Sequence, residues 1–369
     1  MNKKIFIVPV AILMGATLAS CNNRSDNQGH LVTYNVNGGV CVSSLSNANR
    51  DAITEIKVPN KINGKKVVEI SKGAFKACPN LRSISLPFIG HKPNSDGIGG
   101  LFGYVFGDEM YDGGGAFTWQ CYGLGNRYDD GVTDYHEFAI PNSLHNVTIT
   151  GGDYISAGAF SKCTTLREIT ITDDNLATEI GNYAFYDCTS LKSFTIPSKI
   201  TTIGRKAFQR CYNLQEIVIP EGVTTVRHNA FSKCISAAKA VIPTTVENMG
   251  KLVFEDFQSG LILTPLKEDQ PGWDPNWANT TASIVYDYHN DSMVMVDNAQ
   301  LAVCGEGNDK YFFLVQYVGE WKENKIVVPG TITVNGLTLP LKKVGSSVFM
   351  ENTYVKELEI QEGVELIGA

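Results

Sequence analysis

A phenylalanine returns at Phe185, Phe208, Phe231 and Phe254, each 23 residues after the last. No other feature constrains the fold as tightly, because a fixed period of this size marks a stacked array in which each unit is one coil of the chain. Around these rings the sequence reads EISKGAFKACPNLRSISLP from Glu69, YISAGAFSKCTTLREITIT from Tyr154 and EIGNYAFYDCTSLKSFTIP from Glu179. It continues with TIGRKAFQRCYNLQEIVIP from Thr202, TVRHNAFSKCISAAKAVIP from Thr225 and a decayed copy, NMGKLVFEDFQSGLILTP, from Asn248.

Each unit joins two patterns. From Leu214 to Ile219 the apolar residues end in strict alternation and Pro220 follows, the signature of a short strand that stops at a residue unable to donate to a ladder. From Ile203 to Cys211 the spacing of Ala207, Phe208 and Cys211 lets one helical or 3-10 turn point all three inward. A single unit cannot bury enough apolar surface to offset the entropy of ordering its backbone. Stacking supplies the difference through ladder hydrogen bonds and shared interfaces. The expected architecture is a solenoid, mainly β with short helical or 3-10 turns, carrying a parallel sheet on one face.

The recurring I-G-x-x-A-F-x-x-C-x-x-L-x-x-I-x-I-P pattern resembles the BspA-like class of bacterial leucine-rich-repeat surface proteins, over most of Glu69 to Pro87 and Tyr154 to Pro265. The resemblance implies a leucine-rich-repeat solenoid, extracytoplasmic display, no enzymatic activity in the repeats and, for some members, adhesion to host matrix or plasma proteins. Repeat families share scaffolds more than ligands, so the ligand class carries over weakly.

A second level of repetition relates Ala52 to Phe75 and Asn324 to Phe349, which share strand, proline, Asn-Gly turn, strand and repeat phenylalanine. Asn63-Gly64 and Asn335-Gly336 are tight-hairpin signals, and each module reads as the covered start of an array. Two arrays are therefore expected, at residues 31–265 and 311–369, with residues 266–310 as a Trp-containing cap and connector. The second stops where its next A-F-x-x-C turn is due and reads as incomplete.

Residues 1–20 combine Lys3 and Lys4, an apolar run from Ile5 to Leu18 and small residues before Cys21. This is an export signal, and the run is shorter than the ~20 residues of a membrane span. Leu18-Ala19-Ser20-Cys21 resembles the bacterial lipobox, which implies lipidation of Cys21, removal of the signal and an extracytoplasmic chain held to the membrane by its lipid, at the cell surface. Residues 21–30 would be a flexible tether. The net charge of -7, on an exported chain, leaves no basic face for nucleic acid.

The longest departure from the period is the insertion at residues 88–149. Its candidate ligand-binding residues are Phe102, Tyr104, Phe106, Tyr111, Trp119, Tyr122, Tyr128 and Tyr135, because Tyr and Trp in Gly-rich loops are what recognition surfaces use. The segment also carries Asp96, Asp108, Glu109, Asp112, Asp129, Asp130, Asp134 and Glu137 against only Lys92 and Arg127, a field that steers basic partners. The same rings would equally form a small lobe, and the two readings are compatible. Read as a surface loop, Phe88 to Leu144 should be replaceable by a linker at modest entropic cost. Asp129, Asp130 and Asp134 lack EF-hand spacing and read as a solvated turn.

Elsewhere chemistry is sparse. Trp273 and Trp277 either stack on a sugar or close the end of the array. The outward strand positions Ser83, Ser85, Glu168, Thr170, Ser193, Thr195, Glu216 and Val218 lack the aromatic and Arg anchors of tight interfaces. Cys78, Cys163, Cys188, Cys211 and Cys234 occupy one column and read as unpaired core filler. Disulfides between coils or metal ligation remain as alternatives, and Cys41, Cys121 and Cys304 stand outside the column. With no H-x-x-x-H or C-x-x-C spacing, no catalytic residue, metal or cofactor is assigned. The expected function is adhesion or scaffolding, by binding of an extracellular or host protein or glycan to a repeat scaffold that carries no chemistry of its own. Its rivals are a secreted hydrolase or metal-dependent enzyme sited in the insertion, and a spacer for a further C-terminal domain. An enzyme needs convergent acid, base or metal ligands in one cleft, whereas a binder needs an exposed aromatic patch.

Overall fold

The structure, a computed structural model, describes residues 17–19, 31–46, 49–111, 115–122, 134–257, 260–296, 299–317, 325–345, 348–349 and 355–368. Strands dominate, helix is limited to four short 3-10 segments among these residues, and no helix there is long and apolar enough to cross a membrane. Cys21, the expected lipidation site, and Tyr128, a candidate ligand contact, lie outside the described residues.

The L-x-x-I-x-I stretches stack into a front ladder of parallel strands. Glu55–Lys57, Ser83–Leu86, Asn146–Ile149 and Glu168–Ile171 pair in that order, and a bridge from Glu168 to Ser193 carries the stack onward. Glu216–Val218, Lys239–Val241, Leu261–Leu263 and Ser283–Val285 continue it. Alternation places Ile56, Ile84, Val147, Ile169, Ile217, Ala240 and Ile262 inside.

Two features differ from the sequence expectation. The residues before the I-G glycine form a second parallel ladder, with Glu179–Ile180, Thr202–Ile203, Thr225–Val226 and Asn248–Met249 in register. The coils meet so closely here that a Cβ on Gly204 would lie 2.6 Å from backbone atoms of Ile180, Gly181 and Asn182. The A-F-x-x-C stretch, in turn, is a run of tight turns in place of a 3-10 turn. Alternate N–H groups close local turns, as Ala184 to Gly181, Tyr186 to Tyr183 and Cys188 to Phe185. Those between them donate to the next coil, Tyr183 to Arg205 at 2.9 Å, Phe185 to Ala207 at 2.7 Å and Asp187 to Gln209 at 2.9 Å. Swinging these groups outward puts Tyr183, Asp187, Lys206 and Arg210 at φ of 59°, 59°, 55° and 67°, a left-handed conformation costly for residues with a Cβ. Backbone hydrogen bonds thus join the coils on three sides.

Inside, the phenylalanines form a column. Phe160, Phe185, Phe208, Phe231 and Phe254 lie face to face at 5.4, 4.8, 5.2 and 5.7 Å, with planes within 10°. Trp277 meets Phe254 edge-on at 5.8 Å, and Trp273 meets Trp277 at 5.0 Å; both indoles are buried and donate hydrogen bonds, Trp273 to Val246 O and Trp277 to Asp269 Oδ2. The column cysteines are free and buried. Their thiols serve the coil above, Cys188, Cys211 and Cys234 donating to the carbonyls of Phe160, Phe185 and Phe208 at 3.1–3.3 Å.

The two starting modules are built alike. Leu31–Val36 and Gly39–Leu45 pair antiparallel, and the second of these lies parallel to Lys65–Ile70, which closes a hairpin with Lys61–Ile62. Ala299–Cys304 and Tyr311–Tyr317 repeat the arrangement with Leu337–Val344 and Thr331–Val334. Asn63 and Gly64, like Asn335 and Gly336, take the positive φ angles of a two-residue hairpin turn. The second module's sheet also takes in Tyr288–Val296, so it starts within the segment that reads as connector from sequence.

Candidate binding surface

The insertion leaves the front ladder after Leu86 and returns to its next rung, since Asn146 pairs directly with Ser83. What it inserts is one enlarged coil. Phe102–Val105, a 3-10 segment, supplies the missing rung on the turn side. Phe102 N–H donates to Ala159 O at 2.8 Å and Phe75 N–H to Val105 O at 2.9 Å, the bonds a regular coil makes. Phe102 packs 4.9 Å from Phe160 and 5.4 Å from Phe106. Both rings are fully buried, which corrects their assignment as ligand contacts: they extend the phenylalanine column. The expectation of a replaceable loop is corrected for the same reason, because Phe88, Leu101, Val105, Phe138 and Leu144 also belong to the main core.

Beyond this rung, Gly115–Cys121 and Tyr135–Pro141 form an antiparallel hairpin. One face is locked to the solenoid. Gln120, fully buried, accepts from Gly103 N–H at 2.6 Å and donates to Ala159 O at 3.0 Å, while Cys121 N–H donates to Ser161 Oγ at 2.8 Å. Phe138 lies so close under the rung that a Cβ on Gly103 would run into its ring. Alternation then forces the other face outward. Trp119 stands opposite Glu137 and is 52% exposed, with Phe117 at 39% and Tyr135 at 38%. Lys162 holds its ammonium 4.8 Å above the Tyr135 ring.

Of the other candidates, Tyr104 is half-buried beside His91 at 5.1 Å, and Tyr122 is half-buried against the core. Tyr111 is also half-buried, and burial pushes its phenol up to about 12. Trp119 and Tyr135 are therefore the two that the hairpin brings together at the surface. Sequence reasoning left out their neighbours Phe117 and Lys162 and the exposed Met110; the period-2 spacing of Phe117 and Trp119 was the available signal. At the hairpin's edge, Asp108 takes a hydrogen bond from Lys72 at 2.6 Å, which lowers its carboxyl from the usual range, and approaches His136 at 3.3 Å. Lys76 binds Glu109 at 2.7 Å. These pairs are exposed and contribute little to stability, but they align the acidic margin. Among the described residues no group of three or more His, Cys, Asp and Glu side chains is placed to hold a metal ion.

Residues 42–91 and 134–259 match the family described as BspA type leucine rich repeat region, in six copies. Among solved structures, the leucine rich repeat protein of T. pallidum is 19% identical over 63% of this chain and 83% of its own, with a TM-score of 0.33. A leucine-rich repeat protein from Bacteroides ovatus ATCC 8483 is 15% identical over 96% and 77%, with a TM-score of 0.37. A leucine rich cell surface protein from Faecalibacterium prausnitzii A2-165 is 16% identical over 92% and 77%, with a TM-score of 0.30. No curated protein matches.

Proposed function

We propose that this chain, a leucine-rich-repeat protein of the BspA type across residues 42–91 and 134–259, is a lipid-anchored surface protein that binds an extracellular protein or glycan through the outer face of its insertion hairpin. The observation that carries the reading is the exposure of Phe117, Trp119 and Tyr135 on a strand pair whose opposite face is locked into the core. A rigid aromatic surface of this kind loses little entropy on binding and concentrates affinity in a few side chains. The acidic residues around it favour basic partners.

The test is a Trp119→Ala, Tyr135→Ala double variant, assayed on immobilised matrix proteins and on a glycan array. Exposed aromatic hot spots are worth about 2 kcal/mol or more, so binding should fall at least thirtyfold with the melting temperature unchanged. Equal binding by the double variant would dismiss the hairpin as the site. Anchoring is tested separately. Cys21→Ala should move the exported protein from the detergent phase to the aqueous phase and leave the repeats folded. Retention in detergent would overturn the lipobox reading. Signal removal in this scheme also takes away Thr17–Ala19, which pairs with Leu31–Val36, and leaves the latter as the sheet edge.

A further inference from the structure

The outward face of the front ladder changes character along its length. Val218, Val241, Leu263 and Val285 are register partners on successive parallel strands, so their side chains form one row on the outside of the sheet. Val218 is 47% exposed and Val241 half-buried, whereas Leu263 is 3% and Val285 0% exposed. The cover over the buried end is the second module's sheet, through Ala302, Cys304, Tyr311, Phe313 and Val315. Tyr311, Phe313 and Val315 are alternate residues of one strand. The covered end thus shows what this row accepts, namely apolar side chains presented at every second position of an extended segment.

Where that cover stops, a cleft of about 960 Å³ opens, with Val218, Val241, Pro220 and Pro243 as floor and Tyr288 and Met293 as wall. A smaller groove of about 440 Å³ shares Val218 and Pro220 and carries the floor on past Phe194 and Thr195. Together they cross four front strands, three spacings of roughly 4.8 Å, enough for about four or five extended residues. On the rim the carboxylates Glu216, Glu221 and Glu306 outnumber the cations Lys192 and Lys239. Lys239 is engaged by Glu216 at 2.8 Å. Glu306 meets the imidazole of His289 at 3.4 Å, which Asp287 shares at 3.1 Å, and Glu221 completes the acidic side. Gln316 Nε2 donates to Gln300 Oε1 at 2.7 Å, which leaves an amide N–H on Gln300 and the amide oxygen of Gln316 with capacity for a peptide group.

We propose that this cleft binds an extended polypeptide segment with apolar side chains at alternate positions and at least one basic residue. The row continues an interface the fold already makes, and the rim charge selects the cation. The floor is mainly branched aliphatic and proline, with Phe194 at one end and Tyr288 in the wall, and competition by a sugar is one of the outcomes that would overturn the proposal. The site is independent of the hairpin surface.

The probe is a fluorescein-labelled synthetic peptide, Lys-Tyr-Lys-Phe-Lys-Val-Lys, compared by anisotropy with its rearrangement Lys-Lys-Tyr-Phe-Val-Lys-Lys on the full chain. Saturable binding of the first, at least tenfold tighter than of the second, is expected. Val218→Glu and Glu221→Lys should each weaken it at least tenfold; both positions lie at the surface of the cleft, and an unchanged melting temperature verifies folding. Trp119→Ala should leave the affinity as it was, which separates this result from the fate of the hairpin reading. The proposal is overturned by absence of saturable binding, by equal affinity for both peptides, by insensitivity to Val218→Glu, or by displacement of the peptide with soluble dextran oligosaccharides.

Discussion

Replacing Phe208 with alanine tests the physical account of the column. The ring is 1% exposed and lies 4.8 Å from Phe185, 5.2 Å from Phe231 and 5.1 Å from Phe194. Truncating a buried phenylalanine costs roughly 3–5 kcal/mol. Two stacked partners are lost here, each worth about 0.5–1.5 kcal/mol beyond burial, and hydrogen-bonded turns on both sides resist collapse into the void. The expected cost therefore lies at the upper end, about 4–5 kcal/mol by urea denaturation. Hydrogen exchange gives the spatial check, because in a linear stack each unit touches only its neighbours. Amides that cross between coils near the void, such as those of Phe185, Phe208 and Phe231, should lose about three decades of protection. Those of Phe312 to Val315, in the second module, should keep theirs. A cost under about 2 kcal/mol, or equal loss in both regions, would refute the reasoning.

Two further outcomes follow from the interior. Burial raises the column thiols, Cys234 from 9.0 to about 12, so the folded state favours the neutral form. Its contribution is complete below about pH 9 and declines as pH rises toward 12, by up to about 1.36 kcal/mol per unit for each such thiol; a flat stability between pH 8 and 11 would contradict this, as would rapid alkylation of the native protein. Replacing residues 88–144 with a Gly-Ser linker removes the Phe102–Val105 rung, and limited proteolysis should then cut readily between Phe75 and Phe160. Resistance equal to the parent's would show that the rung is dispensable.

The coil was legible because every unit repeats the same inward residues, and the Asn-Gly hairpins because their turn chemistry is local. The turn geometry was not. Its left-handed positions hold Lys206, Arg210, Tyr183 and Asp187, residues that read as ordinary solvent-facing side chains and do not declare a positive φ. The rung in the insertion escaped for another reason: Phe102-Gly-Tyr-Val lacks the A-F-x-x-C frame, and its role follows from hydrogen bonds to Phe75 and Ala159, distant partners that a linear pattern does not contain. Aromatic density therefore mixed core rings with surface ones. The apolar end of the front ladder went unread because Val241 and Leu263 stand out only once strand register aligns them with Val218.

The left-handed turns also leave a record in what the chain omits. The positions with positive φ in successive turns are Gly73, Ala77, Gly158, Lys162, Tyr183, Asp187, Lys206, Arg210, Asn229, Lys233, Leu252 and Asp256. Valine, isoleucine, threonine and proline are all absent from them, although Val253 sits next to one and threonine abounds elsewhere. Branching at Cβ is what that conformation tolerates least. Gly158, Tyr183 and Lys206 are buried and the other nine at least partly exposed, but substitutions at all twelve are governed by backbone shape, and a threonine placed at Lys233 would disturb the coil more than an alanine would. Mutational drift on this outer surface is filtered from within, by the path of the main chain.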